Sequence, residues 1–380
     1  MGKQSIFVFY SIILILFSGC FEEIKNPSLL KVSEIKPSYV NNDHAAESLL
    51  LTLKNGLILH FFRLDPGLGG GHVGNGGRIV CRESVDNGAT WTEPITIFDD
   101  EWDNRNIRGG LTEDGTIVLF FRRYDGNNWK PVDLNYIVSK DNGKSWTKRT
   151  QLVEFQRFVD NFYEIWISNF TNIGNGRYLI PVCGPKYCEM KIFRVQEEKV
   201  VFESKNFIFD YIKNGEAEID EPYIAIMPEK NKLVCLFRDE ANSNYYQSIS
   251  LNNGVGWTQP VKTNMLEQYF CPSPLIFYED MSEKIITIAT DRRNISTKND
   301  KDALQSQVSI FTNTIDEVVA GSKNYKLLFQ MGRPKPNEYQ FYGYPAYTKT
   351  IDGKYVVIFT ESFVDSVNEE ADLYQFVLSY

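Results

Sequence analysis

One octapeptide constrains this chain more than anything else in it. Ser84-Val85-Asp86-Asn87-Gly88-Ala89-Thr90-Trp91 returns as Ser139-Lys140-Asp141-Asn142-Gly143-Lys144-Ser145-Trp146, and in worn form as Ser250-Leu251-Asn252-Asn253-Gly254-Val255-Gly256-Trp257. The copies start 55 and 111 residues apart, the second interval about twice the first. Each describes a hairpin tip: the Asp carboxylate and the hydroxyls satisfy turn N–H groups, Gly takes φ > 0, and Trp packs beneath the loop. A second period is independent of the first. A turn residue precedes an apolar strand at Gly56, Gly115, Gly176, Asn231, Glu283 and Gly353, in steps of 59, 61, 55, 52 and 70 residues. No long 3.6-residue periodicity interrupts this pattern, so parallel βαβ folds fit poorly. A repeated antiparallel four-stranded unit that leaves only short edges predicts an all-β, six-bladed β-propeller.

The six units fill residues 40–380 with no internal domain boundary. Hydrophobic residues at 43% and charged residues at 23% exclude disorder. Aromatics at 14% favour short strands and tight turns. The net charge of −9 argues against a duplex nucleic-acid partner, which needs a basic face. Three histidines leave little for a metal site, no ligand-spacing motif is present, and no cofactor is read. The chain is expected to act as a monomer.

Residues 1–19 read as an export signal: Lys3, a short apolar run, then small residues. Phe17-Ser18-Gly19-Cys20 resembles a bacterial lipoprotein box, which implies lipidation of Cys20, a linker over 20–39, and attachment to the outer membrane or cell surface. The remaining five cysteines are odd in number, so disulfides are not the main support of the fold; Cys183 and Cys188 are close enough to pair.

In a propeller the innermost strands converge at one end of a central channel. The segments ahead of the six turns open with His44-Ala45-Ala46-Glu47, Arg105-Asn106, Glu164-Ile165-Trp166, Glu221-Pro222, Cys271-Pro272-Ser273 and Tyr344-Pro345-Ala346. Buried strands rarely start with charge, because an unpaired buried charge is costly. Either these residues form an active site or they form an ion-pair network between units. The seventh residue after each turn residue gives a second ring: Arg63, Arg122, Cys183, Arg238, Thr290 and Thr360. Clustered guanidiniums call for an anion such as a sugar carboxylate, and Arg292 and Arg293 are near enough in sequence to join.

The boxes resemble those of the sialidase (neuraminidase) superfamily, a family of six-bladed propellers. The resemblance spans the chain from about residue 40. It implies a glycan substrate, a tyrosine nucleophile with a glutamate partner, an aspartic acid/base and three arginines on the sugar carboxylate. Carried over, it makes Tyr344 the nucleophile or charge stabiliser, Glu221 its base, and Arg105, Arg238 and Arg292 the anion clamp; His44, an imidazole at a strand start, or Asp65 is expected as the acid/base. Two departures stand out. The family's Arg-Ile-Pro opening of blade one is replaced by His44-Ala45-Ala46-Glu47-Ser48, and no carboxylate stands at Asn75-Gly76-Gly77-Arg78. In these respects the chain is more similar to divergent bacterial neuraminidase-like proteins. The expected function is a lipid-anchored glycoside hydrolase removing a terminal, acidic sugar. The rival readings are a non-catalytic glycan-binding propeller and a glycosidase or lyase acting on uronic-acid polysaccharide through His44.

Overall fold

The computed structural model describes residues 30–66, 72–156, 166–184, 187–210, 219–228, 231–239, 244–265, 272–290, 307–332, 340–363 and 370–380. Two short strands come first, β1 (Lys31–Val32) and β2 (Lys36–Tyr39). A meander follows of β3 (His44–Thr52), β4 (Ile58–Asp65), β5 (Arg78–Ser84) and β6 (Ile95–Phe98). The second unit is β7 (Asp103–Leu111), β8 (Ile117–Asp125), β9 (Lys130–Ser139) and β10 (Thr150–Gln151). The third contains β11 (Trp166–Ile167), β12 (Thr171–Gly174), β13 (Arg177–Cys183), β14 (Tyr187–Gln196) and β15 (Lys199–Asp210). Next come β16 (Ile219–Ile226), β17 (Leu233–Asp239), β18 (Asn244–Ser250) and β19 (Val261–Lys262). The fifth unit is β20 (Leu275–Glu279), β21 (Lys284–Thr290), β22 (Val308–Thr314) and β23 (Lys326–Met331), with a one-turn helix α1 (Ile315–Val319) before its last strand. The chain ends with β24 (Gln340–Lys349), β25 (Tyr355–Phe363) and β26 (Ala371–Ser379).

These strands form five sheets among the described residues. The largest has nine strands and contains two meanders, β3 to β6 and β24 to β26, joined by a single parallel pair, Ala371 with His44. Its last meander takes its outer strands from the beginning of the chain, since β1 and β2 both pair antiparallel with β26. Within the expected linker over 20–39, Lys31–Val32 and Lys36–Tyr39 are therefore strand and belong to the last unit.

Alternation along the second strand of each unit explains how the sheets stack. In β4, Leu59 and Phe61 face Ile117, Leu119 and Phe121 of the second unit, while Ile58 and Phe62 face Val356 and Ile358 of β25. Both faces are covered, so the first five residues of these strands are largely apolar, the pattern of a strand buried on two sides. Val118 and Phe120 meet Ile180 and Val182 in the same way, and Leu179 meets Leu233 and Phe237. Each such side chain contributes about 1.5–3 kcal/mol of burial. First strands also pack in succession: β3 on β7, β7 on β11, β11 on β16, β16 on β20, β20 on β24, and β24 on β3. A disulfide joins Cys183 to Cys188 across β13 and β14, and Cys81 and Cys235 are free and buried. Cys20 and Cys271 lie outside the described residues.

The octapeptides connect third to fourth strands. In the first, Ser84 Oγ donates to Asp86 Oδ1 at 2.8 Å and accepts from the Gly88 N–H at 2.9 Å, while Thr90 donates its N–H (2.9 Å) and its hydroxyl (2.6 Å) to the Asp86 carboxylate. The second copy repeats this with Ser139, Asp141, Gly143 and Ser145. The third keeps the frame with Asn252, which accepts from the Gly256 N–H at 2.8 Å. The glycine serves the neighbouring unit as well as the turn. Gly88 has φ +81°, and a Cβ there would lie 2.9 Å from Val356 of the last unit; at Gly254, φ +80°, it would lie 2.9 Å from Leu179 of the third. Each box therefore presses its tip onto the second strand of the preceding unit.

Two outcomes follow. Gly88→Ala should destabilise by about 1–3 kcal/mol, combining left-handed strain with the Val356 clash. Gly115→Ala, where φ is +88° and nothing lies within 4 Å, should cost less in the same urea titration. Hydrogen bonds from Thr90, and from Ser145, hold the Asp86 and Asp141 carboxyls down at about 2. Their stabilising contribution is full above the unfolded value of about 3.9. It is lost as pH falls through about 2, and Asp141→Asn should flatten the acid limb of a stability–pH curve across that window.

Candidate functional site

Four first strands break register at the same place. The break falls between Ala46 and Leu49 in β3, Arg105 and Arg108 in β7, Asp220 and Tyr223 in β16, and Gly343 and Ala346 in β24. The first residue of each bulge is left-handed: Glu47 at φ 60°, Asn106 at 56°, Glu221 at 41° and Tyr344 at 49°. Left-handed backbone costs a non-glycine residue about 1–2 kcal/mol, so four aligned instances mark a position where side-chain direction matters more than strand regularity. The second ring lies beside it. Arg63 pairs across the strands with Ala46, Arg122 with Arg105, Arg238 with Asp220, and Thr360 with Gly343.

Around the first two bulges the charges interlock. Glu47 Oε1 lies 3.0 Å from Arg105 Nη2, and its Oε2 accepts the Asn106 N–H. Asp103 Oδ1 accepts from Arg63 Nε at 2.7 Å, and Asp103 Oδ2 sits 3.6 Å from Arg105 Nη1. Asp65 lies 3.5 Å from Arg63 Nη2. Arg105 and Arg122 both lie over the Tyr124 ring, at 5.8 and 5.4 Å. The neighbouring loop closes tightly on this cluster: the Gly74 N–H donates to Asp103 Oδ2 at 3.2 Å, and a Cβ at Gly74 would lie 2.7 Å from Asp65 Oδ2. All these charged side chains are buried. Burial alone would raise the Glu47 carboxyl, but the guanidiniums of Arg105, Arg122 and Arg63 and the Asn106 N–H hold it well below the ordinary carboxylate range.

The other expected residues are placed as follows. Glu221 Oε2 lies 3.2 Å from Arg238 Nη1, both buried. Ser273 Oγ donates to the Glu221 carbonyl at 3.2 Å. Tyr344 occupies the equivalent bulge of β24, which packs on β20, which packs on β16. His44 is the first residue of β3, paired across from Asp65 and 5.9 Å in ring separation from His72, so the true counterpart of Glu221 and Tyr344 in this unit is Glu47. Asp65 is the last residue of β4. Arg292, Arg293, Glu164 and Cys20 lie outside the described residues. Sequence reasoning missed Asp103 and gave no role to Glu47 and Asn106. The signal was present: Glu47, Asn106 and Tyr344 each stand nine residues ahead of a turn glycine, Gly56, Gly115 and Gly353.

His60 is structural. Arg82 Nε donates to His60 Nδ1 at 2.9 Å, so Nδ1 carries no proton and Nε2 donates to Ser48 Oγ at 2.9 Å. Burial, then the Arg82 charge, keeps this imidazole well below its usual range. Arg82 also donates to the Ser38 carbonyl at 2.5 Å and lies 4.8 Å over Trp91, tying β2 to β5 and, through His60, to the Glu47-Ser48 bulge. Among the described residues no group of three His, Cys, Asp or Glu is placed to hold a metal ion. At their far ends the first strands border an open pocket of about 470 Å³ lined by Phe170, Tyr223, Phe277 and Tyr347 among others.

Four-stranded antiparallel units stapled by Asp-boxes, with a charged hub at their strand starts, define a class of box-repeat protein. The chain belongs to the BNR repeat-like domain family, whose model matches residues 78–269. No curated protein sequence matches it. Solved structures of the same fold include a protein of unknown function from Dyadobacter fermentans, at 17% identity and TM-score 0.69, covering 92% of this chain and 99% of that one. A mutant of the NanB sialidase from Streptococcus pneumoniae is similar at 12% identity and TM-score 0.61, over 90% of this chain and 70% of that one. The intramolecular trans-sialidase from Ruminococcus gnavus is similar at 11% identity and TM-score 0.57, over 88% and 95%. At such identities the likeness is one of fold.

Asp103 is the keystone of the first cluster. Asp103→Ala would leave Arg63 without its closest carboxylate and should cost about 3–5 kcal/mol in denaturant unfolding. A surface exchange such as Lys140→Ala should stay within about 0.5 kcal/mol.

Proposed function

We propose that the chain is a six-bladed propeller glycoside hydrolase that releases a terminal sugar from glycans, held at the bacterial cell envelope by a lipid on Cys20. One observation carries the reading: the repeated bulge that sets Glu47, Asn106, Glu221 and Tyr344 at one level of four first strands. The return contact of β24 with β3 supports six blades around one axis.

In this mechanism the Tyr344 phenol attacks the anomeric carbon and Glu221 takes its proton. Asp65 or His44, paired across β3 and β4, protonates the departing glycosidic oxygen. Water then attacks the anomeric carbon, giving one proton back to Asp65 or His44 as the glycosyl–tyrosine bond breaks, and Glu221 returns its proton to the departing Tyr344 oxygen. Arg238 orients Glu221, and Arg105 and Arg122 flank Glu47; Arg63, held by Asp103, supports the rim, with Glu164 and Arg292 assigned to substrate contacts. A phenol suits a site already crowded with carboxylates, because it brings no further ground-state charge.

A non-catalytic glycan-binding propeller is the second reading, favoured by the engagement of Arg63, Arg105 and Arg238 with carboxylates of the chain itself. The test is incubation of the purified full chain with a panel of defined glycans, with mass spectrometry of the products. Tyr344→Phe should lower turnover about a hundredfold or more while glycan binding persists. Unchanged turnover would remove Tyr344 from the mechanism, and binding without product from any glycan would establish the second reading.

A further inference from the structure

We infer that the sugar received at the charged end of the first strands carries no carboxylate, because Glu47 already supplies, from within the chain, the anion that Arg63, Arg105 and Arg122 require. This rests on the glycan reading above and narrows it, departing from the acidic sugar expected from sequence.

The argument is one of charge balance. Among the described residues the cluster brings together three guanidiniums, Arg63, Arg105 and Arg122, and three carboxylates, Glu47, Asp65 and Asp103. A guanidinium cannot discharge by losing its proton, so a buried cluster of them must be matched by negative charge. Among the described residues the carboxylates of this cluster equal its guanidiniums in number without a ligand. Arg63 is 0% exposed and Arg105 3%, and Glu47, at 2%, lies between Arg105 and the Asn106 N–H. The bulge fixes Glu47 from below, so it is held as firmly as the groups it neutralises. The same economy recurs at Arg238, matched by Glu221 at 3.2 Å. An incoming carboxylate would have to displace Glu47 from Arg105 and the Asn106 N–H or sit beside it as a like charge, and both are unfavourable. Hydroxyl groups face neither penalty, since they donate to carboxylates and accept from guanidiniums.

The experiment compares matched sugars, glucose against glucuronic acid and N-acetylneuraminic acid, by calorimetric titration at low salt, on the wild-type chain, Glu47→Gln and Glu47→Asp. The wild type should prefer the neutral sugar by at least about tenfold. Glu47→Gln, which leaves the cluster one positive charge in excess, should gain affinity for the carboxylated sugars and for sulfate, with the gain suppressed by added salt. Glu47→Asp, which keeps the charge, should keep the wild-type preference. A wild-type preference for a carboxylated sugar overturns the inference even if Glu47→Gln fails to fold; so does a folded Glu47→Gln with no gain for any anion. Failure of the glycan reading looks different: no sugar binds any form, while sulfate still distinguishes Glu47→Gln from wild type.

Discussion

A buried guanidinium that cannot shed its charge is the constraint on which this molecule is organised. Arg63, Arg105 and Arg122 stand at the second-ring or strand-start positions of the first two units, and each is acted on by a carboxylate from the other unit or from its own: Glu47 of β3 reaches Arg105 of β7, and Asp103 of β7 reaches Arg63 of β4. Hydrophobic stacking between sheets is non-directional and would tolerate sliding by a residue pair. Charge pairs at 2.7 and 3.0 Å do not, so the register between these units is set at the hub.

The hub works because the other half of each first strand is apolar. β3 passes from His44 and Glu47 to Leu49, Leu50 and Leu51, and β7 from Asp103 and Arg105 to Gly109, Gly110 and Leu111. The far ends border an aromatic-lined pocket, in which Phe277 stacks on Tyr347 with ring centroids 4.4 Å apart. One end of the strands thus offers polar chemistry and the other aromatic packing. The ion pairs at the polar end are strong because they are themselves buried, and an unmatched charge there is correspondingly costly. Asn169 donates to the Tyr223 hydroxyl at 2.8 Å, so even this apolar end satisfies its buried phenol, whose ionisation burial pushes up to about 12.

Much of this architecture was legible. The three boxes and the six turn residues gave the unit length, and the bulge register confirms that Arg63, Arg122, Arg238 and Thr360 share one level. What escaped were features whose cause is not local. Residues 31–39 carry no strong strand pattern, and Lys31–Val32 and Lys36–Tyr39 are strand because β26 would otherwise lack outer partners. His44 drew attention by residue type, yet the bulge makes Glu47 the counterpart of Tyr344, and bulges leave no composition signal. Asp103 looked like loop acid ahead of Arg105. Its importance comes from Arg63, forty residues earlier in the chain, and only the folded geometry joins them.

The perimeter and the hub are parts of one device. Ser38 of β2 accepts from Arg82 of β5, Arg82 donates to His60 of β4, and His60 donates to Ser48, the residue that follows Glu47 in the β3 bulge. Arg82 lies over Trp91 of the first box, so the same guanidinium touches the box, the closing strand and the chain of hydrogen bonds that leads inward. The neutral His60 is essential to the direction of that chain, because a second proton would set two donors, Arg82 Nε–H and Nδ1–H, against each other in a buried site. Tyr344 and Glu47 lie in the two halves of the nine-stranded sheet, whose direct strand link is the single Ala371–His44 pair. The two halves also pack directly, β24 on β3, and β2 adds to this by holding β26 from outside while Arg82 holds β2. The short strands ahead of His44, which carry none of the proposed catalytic groups, thereby brace the sheet that carries Tyr344 and Glu47.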